Sequence, residues 1–310
     1  MSRLIQLLRE VENIFFSPGD RRVYALVRMA FAFTALLNLL SIWPYAEALC
    51  TDSGIIDPDL ARQHGAPLYL SLFEWARTGS AVHAVFGTTV VALGMLFCGA
   101  WARVAAFWVF VWHVSFTSRA LLGTTGWDML LRSFSFLVLI SPLGEDWPLG
   151  ALRRRASPIN AADVPQYGLV LMRLQVLVVY WQTVLHRVLS QDPYWLKGEF
   201  LPYFLLSHQS RLPGLWVLEH QSLLALTTHL VQLTEVTIPV LLWIRKTRWW
   251  GFGLGLLLHG GICASATGLE LFLLTMLMSY SCFADRSDLD TVERFLQNLR
   301  PPPRTPPPAV

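Results

Sequence analysis

The stretch LQVLVVYWQTVLHRVLSQDPYW, Leu174 to Trp195, begins as apolar helix and ends by setting His186 and Arg187 side by side. Its apolar part approaches the roughly 20 residues that cross a bilayer core. Polar residues interrupt it on two stripes. Gln175, Gln182 and His186 fall at i, i+7 and i+11, while Arg173, Tyr180 and Arg187 fall at i, i+7 and i+14, nearly opposite. A helix that faces lipid keeps one clean apolar side. On this reading the segment has none, so it is expected to be enclosed by protein. His186 and Arg187 then admit three readings: a catalytic pair, a head-group anchor, or an ordinary helix end.

The remainder of the chain is of the same kind. Its 310 residues are 54% hydrophobic and only 15% charged, against about a quarter charged in a soluble globular chain, and the mean hydropathy is +0.45. Apolar windows of near-spanning length recur, which predicts an all-α fold, a polytopic transmembrane bundle. Eight spanning helices are expected, at about Val23–Trp43, Ala81–Cys98, Val104–Ser118, Trp127–Leu143, Tyr167–Leu185, Leu223–Ile244, Trp249–Ser265 and Leu269–Phe283. No short apolar run with a small-residue cleavage site opens the chain, so the first spanning helix is expected to serve as its own insertion signal. The expected organisation is an interfacial amphipathic helix over 1–22, a transmembrane domain over 23–283, and a short helix with a Pro-rich tail over 284–310.

With eight crossings both termini share one side. That side carries 15 of the 24 Lys and Arg residues, including Arg153, Arg154 and Arg155; the other carries 6, and Arg28, Arg132 and Arg173 fall inside helices. The excess places both termini in the cytoplasm. Leu4, Leu7, Leu8, Val11, Ile14 and Phe15 recur at helical spacing, as in a helix lying in the interface plane. The net charge of +3 is spread along the chain and gives no case for nucleic acid. The four cysteines show no metal-ligand spacing and read as small apolar residues, so no metal is expected.

Ionisable side chains at membrane depth need a partner or a wet cavity, and here they are Arg28, His113, Asp128, Arg132, Arg173, His186, Glu235, His259 and Glu270. Some have a structural explanation. Asp128 and Arg132 are four apart and suit a neutralising pair, and Arg28 and Arg173 lie near helix ends, where they can snorkel. His229, Gln232 and Glu235 step by three, with Pro239 one turn later. Gly251, Gly255, His259 and Cys263 step by four, a stripe of small residues that favours close helix approach and turns His259 toward a neighbour. Motifs for nucleotide binding, for a serine nucleophile or for a zinc protease are missing. Any chemistry is expected to act on a lipid-soluble or peptide substrate.

Several segments occur in a familiar order: CTDSGIIDPD, FCGAWARVA, SFTSRALLGTTGWDMLLRSFSFLVLISPLG, LMRLQVLVVYWQTVLHRVLSQDPYWLKGEF, LTEVTIPVLL and LLLHGGICASATGLELF. Together they resemble the HTTM domain, the membrane domain of the vitamin K-dependent gamma-carboxylase family and its bacterial relatives, from Val23 to Phe283. The resemblance implies a multi-pass protein of a bacterial inner (cytoplasmic) membrane. Carboxylase members oxidise vitamin K hydroquinone to the epoxide; the strong base so formed takes a proton from the γ-carbon of a glutamate, to which carbon dioxide adds. The family's lysine, seven residues after a tyrosine like Tyr180, corresponds to Arg187 here. A guanidinium stays protonated and cannot act as an ordinary general base. Ala120 stands where the family often has asparagine, and the residues after Phe283 are too few for the carboxylases' soluble portion.

Two functions are therefore expected in competition. In the first, the protein is a gamma-carboxylase-like enzyme that uses a reduced, vitamin K-like quinone on a peptide or lipid. Arg187, His186 and His259 are its catalytic candidates, and Arg28, Asp128, Arg132, Tyr180 and Glu235 line the pocket. In the second, it is a non-catalytic membrane partner or scaffold in peptide or toxin maturation. Transport is disfavoured, because no inverted repeat or matching pair of broken helices is apparent.

Overall fold

Asp20 starts the first long helix. Its carboxylate accepts the Arg22 N–H at 2.8 Å, which satisfies an N–H that the helix itself leaves open. The computed structural model describes residues 2–64, 70–143 and 164–298. Helix α1 (Ser2–Phe16) leads through strand β1 (Pro18–Gly19) into α2 (Arg21–Ile42). Then follow α3 (Gly79–Cys98), α4 (Ala102–Arg119), α5 (Gly126–Ile140), strand β2 (Val164–Pro165), α6 (Tyr167–Leu189), α7 (Gln221–Trp243), α8 (Arg248–Ser265), α9 (Glu270–Tyr280) and α10 (Arg286–Asn298). Short helices fill the connections, among them Pro193–Leu196 and Phe200–Leu205 between α6 and α7. The eight apolar segments expected to be helical all form helices, within a few residues of the expected bounds.

Side-chain contacts show that α2 to α9 alternate in direction. The Trp43 indole donates to His83 Nδ1 at 2.9 Å across the α2–α3 end. Arg103 reaches the Leu139 carbonyl at 3.2 Å from α4 to α5. The Tyr167 hydroxyl donates to the Ile140 carbonyl at 2.6 Å where α5 meets α6. At one end of the bundle, β1 pairs antiparallel with β2, Pro18 facing Pro165 and Gly19 facing Val164. The same end carries Asp20, Arg22, Arg245, Arg248 and α10, laced by ion pairs. The connection between α6 and α7 forms part of the opposite end.

The two halves are filled differently. Among α2 to α5 the core is dense and aromatic: Phe86 meets Trp112 edge-on with centroids 5.7 Å apart, and Trp112 stacks on Phe116 at 5.3 Å. Among α6 to α9 the helices leave a cavity. Among the described residues four segments, Arg21–Cys50, Gly79–Cys98, Tyr167–Leu189 and Gln221–Trp243, are long and apolar enough to cross a membrane. Exposed Trp101, Trp249 and Trp250 mark one end, and exposed Trp75, Tyr194 and Trp216 the other, as in the aromatic belts of membrane proteins.

Two expectations are corrected. Helix α6 does have a clean apolar side: Leu174, Val178, Trp181, Leu185 and Val188, spaced four, three, four and three, are all exposed. The two polar stripes leave a third face free for them, so the helix is not enclosed by protein. Asp128 and Arg132 do not pair. Asp128 instead accepts from the Thr125 N–H at 2.8 Å and the Thr125 hydroxyl at 2.7 Å in a capping box, and from Asn38 at 2.8 Å, while Arg132 donates to Thr117 at 3.2 Å. The Arg153–Arg155 cluster and the Pro-rich tail lie outside the described residues.

Candidate functional site

The cavity between α6, α7, α8 and α9 measures about 340 Å³, within the usual range for small-molecule sites. Each helix contributes through a local feature of its sequence. Tyr180, Thr183 and Arg187 follow one face of α6 at steps of three and four. Thr228, Val231 and Glu235 do the same on α7, where Pro239 removes the backbone donor that would serve the Glu235 carbonyl. In this opened turn the Val236 carbonyl accepts the Trp181 indole N–H at 3.2 Å, which ties α6 to α7. On α8, His259 is reached by the glycine stripe: a Cβ at Gly251 would meet Leu242, and one at Gly255 would run into the Tyr280 ring and hydroxyl. Close approach of α8 to both neighbours therefore depends on these glycines. The connection after α6 folds back as a roof, with Trp195 and Phe200 stacked at 4.0 Å.

Most of the wall is apolar, and the charged and strongly hydrogen-bonding groups fall into two sets. Arg187 Nη1 lies 2.5 Å from Glu235 Oε2, and its guanidinium rests on the Trp195 ring, 3.4 Å from the centroid. Carboxylate and indole together hold a permanent cation in one orientation. In the other set, the Tyr180 hydroxyl lies 2.5 Å from His259 Nε2 and also bonds the Tyr280 hydroxyl. The shared hydroxyl has one proton, so it donates either to the imidazole or to Tyr280 and accepts from the other. His259 Nδ1 is buried and has no hydrogen-bond partner among the described residues. The Phe272 ring meets the imidazole edge-on at 5.1 Å. The first set can stabilise an anion; the second can pass a proton along its hydroxyls and imidazole.

Of the residues singled out in the sequence, Arg187, His259, Tyr180 and Glu235 line this one cavity. His186, adjacent to Arg187, is exposed and does not line it. Arg28 is fully buried beside Gly99, the left-handed cap of α3, where a cation suits the carbonyl end of a helix. Asp128 and Arg132 belong to the cap and to the α4–α5 contact already described. Sequence reasoning missed Tyr280. The signal for Tyr280 was Gly255, a gap on α8 that some large neighbour had to fill. Among the described residues no cluster of side chains suits a metal ion.

A family model of the HTTM domain matches residues 16–287. Neither a curated protein nor a solved structure matches the chain. With the apolar helices, the family match indicates an integral membrane protein. The match spans nearly the whole of the chain, and the chain belongs to the HTTM domain family.

Proposed function

We propose that the cavity binds a reduced quinone, or a molecule of that class, and that the protein is a gamma-carboxylase-like membrane enzyme acting with it on a peptide or lipid. The observation that supports this reading is the composition of the wall: an apolar enclosure with a fixed cation and a tyrosine–histidine hydrogen bond, suited to an aromatic ring bearing oxygens. Arg187 holds negative charge on an oxygen, and His259 with Tyr180 takes or returns a proton. His186, outside the cavity, anchors the end of α6. In this proposal all eight helices from α2 to α9 cross a bacterial inner membrane, with both termini cytoplasmic and α1 in the interface.

The test is titration of the purified protein with a naphthoquinone, followed by quenching of tryptophan fluorescence, to which Trp195 contributes. Saturable quenching is expected, weakened about tenfold or more in Arg187→Ala and Tyr180→Phe, as for loss of a charge-assisted or buried hydrogen bond. Equal quenching in all three proteins, or none in any, sinks the reading.

One observation favours a non-catalytic membrane partner in peptide or toxin maturation. Arg187 is already engaged by Glu235 and Trp195, as a residue that only locks two helices together would be. Wild-type stability that depends on Arg187, with no quinone binding, is the result that reading requires.

A further inference from the structure

A second cavity lies back to back with the first. It measures about 380 Å³ and opens between α5 and α6, with Gly126, Ser133, Gln175, Gln182 and Thr183 in its wall. Its polar groups differ in kind from those of the first cavity, because among the described residues no charged side chain lines it. The Ser133 and Thr183 hydroxyls donate to carbonyls of their own helices, Met129 at 3.0 Å and Val179 at 2.7 Å, and present their oxygens as acceptors. The amides of Gln175 and Gln182 have no hydrogen bond to another described residue. Seven residues apart, they sit about 10.5 Å from each other along the helix. Gln175 is half-buried and well inside a segment apolar enough to span a membrane. An unpartnered amide at such depth is costly unless water reaches it.

We propose that this cleft is a water-filled vestibule serving the inner cavity. Its volume suits about a dozen waters at the liquid's share of about 30 Å³ each, and donors and acceptors on facing helices give them several partners. The mouth is at the end where Gln182 is exposed and α5 begins at Gly126. A Cβ at Gly126 would meet nothing within 4 Å, so the space there is open. Val179, Thr183, Phe272 and Met276 line both cavities. Of these four Thr183 alone is polar. It lies one helical turn beyond Tyr180 on the same face. Water at Thr183 is therefore the neighbour with which the Tyr180–His259 pair exchanges protons. An anionic head group is a poorer occupant, since among the described residues no cation lines the cleft. The vestibule does not depend on the identity of whatever fills the inner cavity.

The experiment is cysteine accessibility in the full chain, in membranes, with Cys98 and Cys263 replaced by alanine; Cys50 and Cys282 are buried. The probe is a membrane-impermeant sulfonated methanethiosulfonate, which reacts with thiolate and so requires a hydrated thiol. Gln175→Cys and Ser133→Cys are expected to react about tenfold faster or more than Val178→Cys on the lipid-facing stripe of α6. Thr183→Cys is also expected to react, and its adduct, unlike that on Gln175→Cys, abolishes naphthoquinone quenching of tryptophan. Gln175→Cys and Ser133→Cys reacting no faster than Val178→Cys overturns the vestibule. Rapid labelling of both with no effect of the Thr183→Cys adduct on quenching keeps the vestibule and overturns its link to the cavity. If the unmodified protein binds no quinone, the labelling rates still decide the vestibule, and only the quinone reading fails.

Discussion

Arg187 and Glu235 define what a single side chain contributes here. Both are largely withdrawn from solvent, with side-chain exposures of 15% and 12%, so neither charge is tolerated alone. Breaking such a pair by removing one partner costs about 3–5 kcal/mol, because the other charge is left buried, whereas replacing both by apolar groups costs far less. Arg187→Ala and Glu235→Ala are each expected to lower the thermal unfolding temperature clearly, and Arg187→Met with Glu235→Leu to lower it less than either. A double mutant worse than both singles would show that the pair does not act as a unit. Arg187→Lys is expected to keep the charge and lose the planar contact with Trp195. Little of this was legible in the sequence. Arg187 and Glu235 stood out as ionisable residues at depth, but their pairing depends on the relative height of two helices 48 residues apart, which no local pattern encodes. The Asp128–Arg132 spacing was legible and misleading: a nearby Thr125 and a buried Asn38 offered Asp128 three hydrogen bonds without a cation.

At the scale of the element, α8 shows how a stripe of small residues sets a distance. A Cβ at Gly255 would overlap the Tyr280 ring and hydroxyl, whereas one at Gly253 meets nothing within 4 Å. Gly255→Ala is expected to destabilise by about 1–3 kcal/mol, as overpacking does, and to weaken naphthoquinone binding by displacing Tyr280 from Tyr180. Gly253→Ala is expected to be neutral or slightly stabilising, since alanine favours the helix. Thermal unfolding of the two variants in one detergent checks both. The steps of four from Gly251 to His259 were readable in advance, because small residues on one stripe mean close approach. The neighbour that fills the gap was not, because its identity depends on which helix follows back. Helix α6 was misread in the other direction. Counting its polar stripes concealed the apolar positions between them, and only the exposure of Leu174, Val178, Trp181, Leu185 and Val188 brought them out.

Across the whole molecule, ion pairs gather at both ends, Arg62 with Glu74 and Arg211 with Glu270 at one, and a network around Asp20 and Asp285 at the other, beside α10. Asp20 accepts from Arg22 at 2.7 Å and lies 3.6 Å from Arg286, and Asp285 lies 3.1 Å from Arg245 and 3.3 Å from Arg248. Burial raises the pKa of each carboxyl, but hydrogen bonds and guanidinium groups outweigh it. Arg22 and Arg286 hold Asp20 below the usual range, and Ser287, the Asp288 N–H, Arg248 and Arg245 hold Asp285 there. A folded pKa below the unfolded one contributes stability above the unfolded value, about 3.9, and loses it as pH falls through the folded value. The unfolding temperature is therefore expected to drop as pH is lowered from about 5 to about 3, with a flatter profile in Asp20→Asn combined with Asp285→Asn. An unchanged slope would show that other groups control the acid limb. The all-helical build was legible throughout, since apolar windows report on local chemistry alone. The network around Asp20 and Asp285 was not, because it joins residues from both ends of the chain.

Helix α6 turns Val178 and Leu185 outward and Tyr180 and Arg187 inward, so a single rigid rod presents an apolar face suited to a bilayer on one side and the candidate chemistry on the other. A thinner or thicker bilayer changes the lean of such a rod. The inward pair would then shift against Glu235 and His259, making the host membrane's acyl-chain length a tuning parameter for the site.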